Sequence, residues 1–154
     1  MECNYYDVAD QEELEKFMKV MYESRGYLFN PEGLQSDIRQ IHKIYTQPGG
    51  NFWLLKEDNK VTGSIGLKIF DERDKIGEIK RFFILPEYQG NGYGKMLMKI
   101  AIDYAREIKL RRIRLDTMKS SIVAQAIFKQ FGFQEIPKYN NNDIAELFLE
   151  LILE

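Results

Sequence analysis

The stretch from residue 76 to residue 108 constrains the fold more than any other. Its first part, Ile76 to Leu85, is rich in apolar and aromatic residues and ends at Pro86, which has no N–H to continue an interior ladder. Its last part carries Met96, Leu97, Ile100, Ala101, Tyr104 and Ile108 at helical spacing. Between them, Glu87-Tyr88-Gln89-Gly90-Asn91-Gly92-Tyr93-Gly94-Lys95 places glycines at alternate positions. A strand that feeds a helix through such a turn lets backbone amides approach an anionic ligand with no β-carbon in the way, and aims the positive end of the helix dipole at it. Taken alone, the glycines equally fit a tight turn with no ligand.

The remaining chain reads as further helices and strands. Tyr5 to Val8 is a short strand candidate, and Asp10 with Glu13 resembles a capping box opening a helix whose stripe is Leu14, Phe17, Met18, Met21 and Tyr22. Asn30-Pro31-Glu32 predicts a second helix start, with Leu34, Ile38, Ile41 and Tyr45 on one face and a stop at Gln47-Pro48-Gly49-Gly50. Phe52 to Lys56 and Val61 to Phe70, joined by Glu57-Asp58-Asn59-Lys60, read as a hairpin. Arg112 to Asp116 is a strand, Ser120 to Phe131 a helix capped by Gly132, and Phe133 to Ile136 and Ala145 to Leu153 are the last strands.

Composition limits what such a chain does. The 154 residues suit a single domain spanning 1–154, and 44% hydrophobic residues exclude a disordered chain. With 22 basic against 24 acidic side chains, no basic excess would hold a nucleic-acid backbone or an anionic membrane. One cysteine, Cys3, and one histidine, His42, cannot build a zinc cluster, so no metal is expected, and the default setting is reducing and cytoplasmic. No apolar run is long enough to span a bilayer. His42 on the second helix reads as a satisfied helix residue rather than a catalyst.

Two phosphate-binding patterns fail on spacing. A Walker A loop would need Gly at 89 and Ser or Thr at 96, where Gln89 and Met96 stand, and in a dinucleotide fingerprint the third glycine would come one residue later than Gly94. Gln89-x-x-Gly92-x-Gly94, however, resembles the signature of the GNAT superfamily of acyl-CoA-dependent N-acyltransferases. Glu78 to Ile84 with Pro86-Glu87, Leu115-Asp116-Thr117 and Phe131-Gly132-Phe133 stand where that family has similar pieces.

The resemblance implies an α/β fold with a central mixed, mostly antiparallel sheet, splayed between strands 4 and 5 and flanked by about four helices. It implies acetyl-CoA as cofactor. Backbone groups of Phe82, Phe83 and Ile84 would bond the pantetheine arm, and Gln89, Gly90, Asn91, Gly92, Tyr93, Gly94 and Lys95 would cradle the pyrophosphate. Lys95 and Lys99 are the nearest cations by sequence, while Lys109, Arg111, Arg112 and Arg114 read as a solvated face.

Acyl transfer to an amine meets a general obstacle: an alkylammonium of pKa about 10.4 is only about 0.04% neutral at pH 7. A carboxylate that takes the proton helps. Glu78 is the only carboxylate in the proposed cofactor strand, and strand alternation predicts that it shares a face with Lys80, Phe82 and Ile84. Similar enzymes use a glutamate at this position as general base; the competing reading is a surface or ion-paired strand glutamate. By the same resemblance a backbone amide at the splay would stabilise the developing oxyanion. The tyrosine that similar proteins use to protonate the sulfur is replaced by Phe128, and Tyr139, in the loop before the last strand, is the substitute acid candidate or an ordinary loop aromatic.

Tyr27, Phe29 and Lys68 are the acceptor-side candidates, against a competing reading of simple packing or solvent exposure. The function expected is acetyl transfer to a primary amine of a small molecule by direct attack in a ternary complex. The alternatives are a protein N-terminal or lysine acetyltransferase, or a decayed acyl-CoA-binding regulatory module. Homodimers are common among similar proteins.

Overall fold

The computed structural model describes residues 1–153. Seven strands form one sheet: β1 (Glu2–Tyr5), β2 (Asn51–Glu57), β3 (Lys60–Asp71), β4 (Ile76–Ile84), β5 (Arg112–Thr117), β6 (Gln134–Glu135) and β7 (Leu147–Ile152). Their order is β1-β2-β3-β4-β5-β7-β6. All neighbours are antiparallel except β4 and β5. The β2–β3 turn places Asp58 and Asn59 at φ 50° and 66°, the double left-handed geometry that matches the twist of a two-residue hairpin.

Helix α1 (Gln11–Ser24) buries Leu14, Phe17, Met18 and Met21. At about 2 kcal/mol for each such side chain, this packing sustains a helix too short to be stable alone. The expected capping box lies three residues earlier than Asp10 and Glu13. Asp7 accepts from the Ala9 N–H, Asp10 accepts from the Asp7 N–H, and the pair caps a 3-10 turn over Val8–Asp10. The chain has turned by then, so the first strand ends at Tyr5 and does not reach Val8.

The second expected helix is broken into a 3-10 stretch, Ser36–Arg39, and a π turn, His42–Thr46. Across the two stretches Ile38, Ile41 and Tyr45 stay buried, while Leu34 is 76% exposed. Helix α2 (Tyr93–Glu107) buries Leu97, Met98, Ala101, Ile102 and Ala105. Its inward face is therefore rotated from the expected stripe, and Met96 is exposed. Helix α3 (Ile122–Phe131) stops at Gly132, whose φ of 94° is left-handed.

The helices cover the two sides of the sheet. Helices α2 and α3 pack with Trp53, Leu55, Ile65, Leu67, Ile79 and Ile113, whereas α1 and the 36–46 segment pack with Phe52, Leu54 and Val61. The expected splay is present. Strands β4 and β5 pair only over Ile76–Arg112, Gly77–Ile113 and Glu78–Arg114, while β5 goes on pairing with β7 as far as Thr117. Beyond Glu78 the β5 side of β4 has no strand partner. No helix among the described residues is long and apolar enough to cross a membrane.

Candidate active site

Glu78 sits at the closed end of the opening between β4 and β5. It is 4% exposed, and no cation forms an ion pair with it among the described residues. Its Oε2 accepts from the Tyr139 hydroxyl at 2.5 Å and from Asn140 Nδ2 at 3.2 Å. No described residue bonds Oε1, and no fully buried side-chain oxygen lacks a partner, so Oε1 is unpartnered and keeps some contact with solvent. Both proposed catalytic side chains thus meet in one place, with the tyrosine donating. Burial, and then the Glu78 charge, pushes the Tyr139 phenol well above its ordinary range, so it remains a donor throughout the neutral region.

Asp116, on β5, stands behind the pair. Its Oδ2 accepts from Asn140 Nδ2 at 2.6 Å and its Oδ1 from Asn142 Nδ2 at 3.2 Å. Sequence reasoning misses both asparagines; the polar run Asn140-Asn141-Asn142-Asp143 before the last strand is the one available signal. Arg114 lies over the Tyr139 and Phe70 rings at 5.3 and 6.0 Å and is tied to Glu150 at 2.8 Å. Arg112 also pairs with Glu150, so the two cations share one carboxylate within the sheet.

The face expected for Glu78 needs correcting. Phe82 and Ile84 pack with α2 and α3, on the side of Ile79, whereas Phe83 packs with the α1 cluster. A bulge causes the switch. Arg81 has a φ of 54°, and the β3–β4 register slips between Ser64 and Gly66, opposite it. Ser64 Oγ holds the Arg81 carbonyl at 2.6 Å. The Arg81 side chain enters the α1 face, giving two bonds to Asp37, at 2.7 and 3.0 Å, and one to Tyr22 at 2.6 Å, while the Tyr45 hydroxyl donates to the same Asp37. Burial opposes both charges, but the Arg81 hydrogen bonds and charge outweigh it and hold the Asp37 carboxyl below the usual range.

The glycine turn joins the open end of β4 to α2. Gly90 and Gly92 have φ of 81° and 82°, and no heavy atom lies within 4 Å of where their β-carbons would stand. Gly94 instead serves helix packing, since a β-carbon there would come within 2.8 Å of Ile127 Cδ1 on α3. Gln89 turns its side chain back to the Ile84 carbonyl at 3.0 Å, bracing the turn. The first N–H groups of α2 have no partner within the helix. Lys95 has no carboxylate partner among the described residues, whereas Lys99 is engaged with Asp103 at 2.5 Å. An uncovered backbone turn, a free cation beside it and an unpaired strand edge leading to Glu78 fit an acyl-CoA.

The other candidates fall around this axis. Lys68 lies beside Glu78 on β3. Phe29 stacks on Tyr22, which meets the Phe83 ring edge-on at 5.5 Å, while Tyr27 is 44% exposed. Phe128 is buried between Phe82 and Phe133. His42 is exposed and bonds Thr46, away from Glu78. A hollow of about 720 Å³ beside α1 includes Phe29 but neither Glu78 nor Tyr139.

Comparison with known proteins bears on the family and the fold. The model of the acetyltransferase (GNAT) family matches residues 13–133. The chain therefore belongs to the GNAT family. A GNAT-family acetyltransferase from Staphylococcus aureus Mu50 has a crystal structure with a TM-score of 0.89 at 25% identity, covering 99% of both chains. The uncharacterized N-acetyltransferase YjgM of Escherichia coli K12 is 28% identical over 101 residues, 65% of this chain and 60% of that protein. A probable spermine N(1)-acetyltransferase of Bacillus subtilis subsp. natto is 40% identical over 68 residues, 42% of this chain and 45% of that protein. The chain matches only about half the length of these two relatives.

Proposed function

We propose that the chain is an acetyl-CoA-dependent N-acetyltransferase acting on the primary amine of a small molecule by direct attack. One observation carries the reading: a buried carboxylate with one oxygen held by two donors and the other open stands at the closed end of an opening whose far end is the glycine turn. The residues that would hold acetyl-CoA are the 89–95 turn, Lys95 and the backbone of Phe82, Phe83 and Ile84. Bound there, it supplies a thioester-activated acetyl group.

Glu78 takes the proton that the ammonium group must lose before it can attack, and Oε1 is the oxygen that accepts it. Tyr139 and Asn140 keep Oε2 occupied, so the acceptor amine meets one oxygen in one orientation. With its proton committed to Glu78, Tyr139 is a weak source of a proton for sulfur, and Phe128 has none to give. A thiolate leaves without a donor near neutral pH, since a thiol pKa is about 8.5. Two carboxylates, Glu78 and Asp116, on the acceptor side suit a cationic amine, and one relative, a probable spermine acetyltransferase, acts on such a molecule.

The test is calorimetry with CoA together with thiol release from acetyl-CoA across a panel of small amines and peptides. Micromolar CoA binding with turnover on small amines is expected. Binding with no turnover on any amine would favour a binding module, and turnover confined to peptides would favour a protein acetyltransferase.

A further inference from the structure

We infer that Asn140 is a positioning residue for Glu78, and this rests on the acetyltransferase reading above. Glu78 is the last residue of β4 that pairs with β5, opposite Arg114, and Asp116 stands two residues further along β5 on the same face. Beyond that last pair the strands separate. The Asn140 amide nitrogen reaches both sides, bonding Asp116 Oδ2 at 2.6 Å and Glu78 Oε2 at 3.2 Å. Its carbonyl oxygen accepts from the Asn142 N–H at 3.0 Å, and Asn142 is itself fastened to Asp116. Every polar atom of the Asn140 side chain is therefore used, and an amide whose two hydrogens go to two carboxylates has one orientation.

The consequence concerns which oxygen of Glu78 works. A free carboxylate rotates and offers either oxygen. Here the Tyr139 and Asn140 donors share Oε2, and Oε1 is left for the amine. Asn140 also carries no charge, so it links two carboxylates without neutralising either, which a lysine in its place would do. The charged and titratable groups facing Glu78 are Lys68 on β3, Lys80 on its own strand, Arg114 and Asp116 on β5, Tyr139 and Tyr45. Of these only Tyr139 bonds it directly.

The experiment measures kcat/KM for the best amine against pH in the wild type, Asn140→Ala, Asn140→Asp and Glu78→Gln, and in Asn140→Ala combined with Glu78→Gln. CoA affinity and thermal melting are followed in parallel. Asn140→Ala should lower kcat/KM about tenfold with CoA affinity unchanged. Its acid limb should move to higher pH, because the carboxylate has lost a donor to its charged form. Asn140→Asp, which crowds a third carboxylate into the cluster, should move it further. In the Glu78→Gln background, Asn140→Ala should add little further loss.

An equal loss in both backgrounds, or an acid limb that does not move, would overturn the positioning role. Should Asn140→Ala fail to fold, Asn140→Asp, close in shape, decides by the same shift. A wild type that binds CoA but releases no thiol with any amine overturns the acetyltransferase reading and this proposal with it.

Discussion

The Tyr139 hydroxyl donates to Glu78 Oε2 across 61 residues of sequence, at 2.5 Å. The bond joins the loop before the last strand to the closed end of the β4–β5 opening. Removing the hydroxyl in Tyr139→Phe should cost about 2 kcal/mol of stability, the usual size for a hydrogen bond to a charged group. It should also lower kcat/KM about tenfold without weakening CoA binding. Because the phenol is raised above its ordinary range, its contribution to stability is full below pH ~10, where the unfolded tyrosine ionises, and falls above that. Urea melts of both proteins between pH 8 and 11 should therefore converge at the alkaline end.

Glu78→Gln keeps the shape and removes the carboxylate proposed as base. Turnover should fall by about 100-fold or more near pH 7 and by much less near pH 10, where the free amine is plentiful. A pH series of kcat/KM on the same amine checks this, and an equal loss at every pH would argue against proton acceptance by Glu78.

Gly92 and Gly94 should separate binding from packing. Gly92→Val forces a β-branched residue to a φ of 82° in open space, so the turn must reshape and CoA affinity should drop at least tenfold. Gly94→Ala instead meets Ile127, a movable side-chain end, and should lower the melting temperature by a few degrees with a smaller change in affinity. Calorimetry and thermal denaturation on both variants give the comparison.

Asp37 and Arg81 predict an acid dependence. The Asp37 carboxyl is depressed in the fold, so its contribution is fully present above the unfolded pKa of ~3.9 and is lost as pH falls further. Asp37→Asn strands the Arg81 charge and should cost about 3 kcal/mol at pH 7. It should also flatten the stability curve below pH 4, as read by denaturant melts from pH 2.5 to 7.

Phe128→Tyr places a hydroxyl in an apolar site 4% exposed, beside Phe82 and Phe133. It should destabilise by about 1–2 kcal/mol and change turnover by less than about tenfold. A rise of 100-fold over a nearly inactive wild type would mean that the chain had lost its acid.

Local order is legible in the sequence wherever one short-range rule decides it. The Asp58-Asn59 hairpin turn, the left-handed Gly132 cap, Pro86 closing β4 and the glycine turn before α2 each depend on a few neighbouring residues. The α1 stripe is readable because four of its residues face one core. Glu78 stands out for the same reason, as the one carboxylate in an otherwise apolar and basic strand.

What the tertiary structure decided lies where distant segments compete for the same backbone. Arg81 takes φ 54° with its side chain held on the α1 side by Tyr22 and by Asp37, which Tyr45 also bonds, and that one residue reverses the alternation that would have put Phe82 and Ile84 beside Glu78. The segment that spacing alone reads as a helix over 34–45 is pulled into 3-10 and π turns by the same core. The polar run at 140–143 marks a loop but not what Asn140 and Asp116 do, because their link to Glu78 exists only after β5 has been laid beside β4 and the loop has folded back across the opening. Local propensity thus determined the elements and the turns between them, and the pairing of residues some 24 to 62 positions apart determined the surroundings of Glu78.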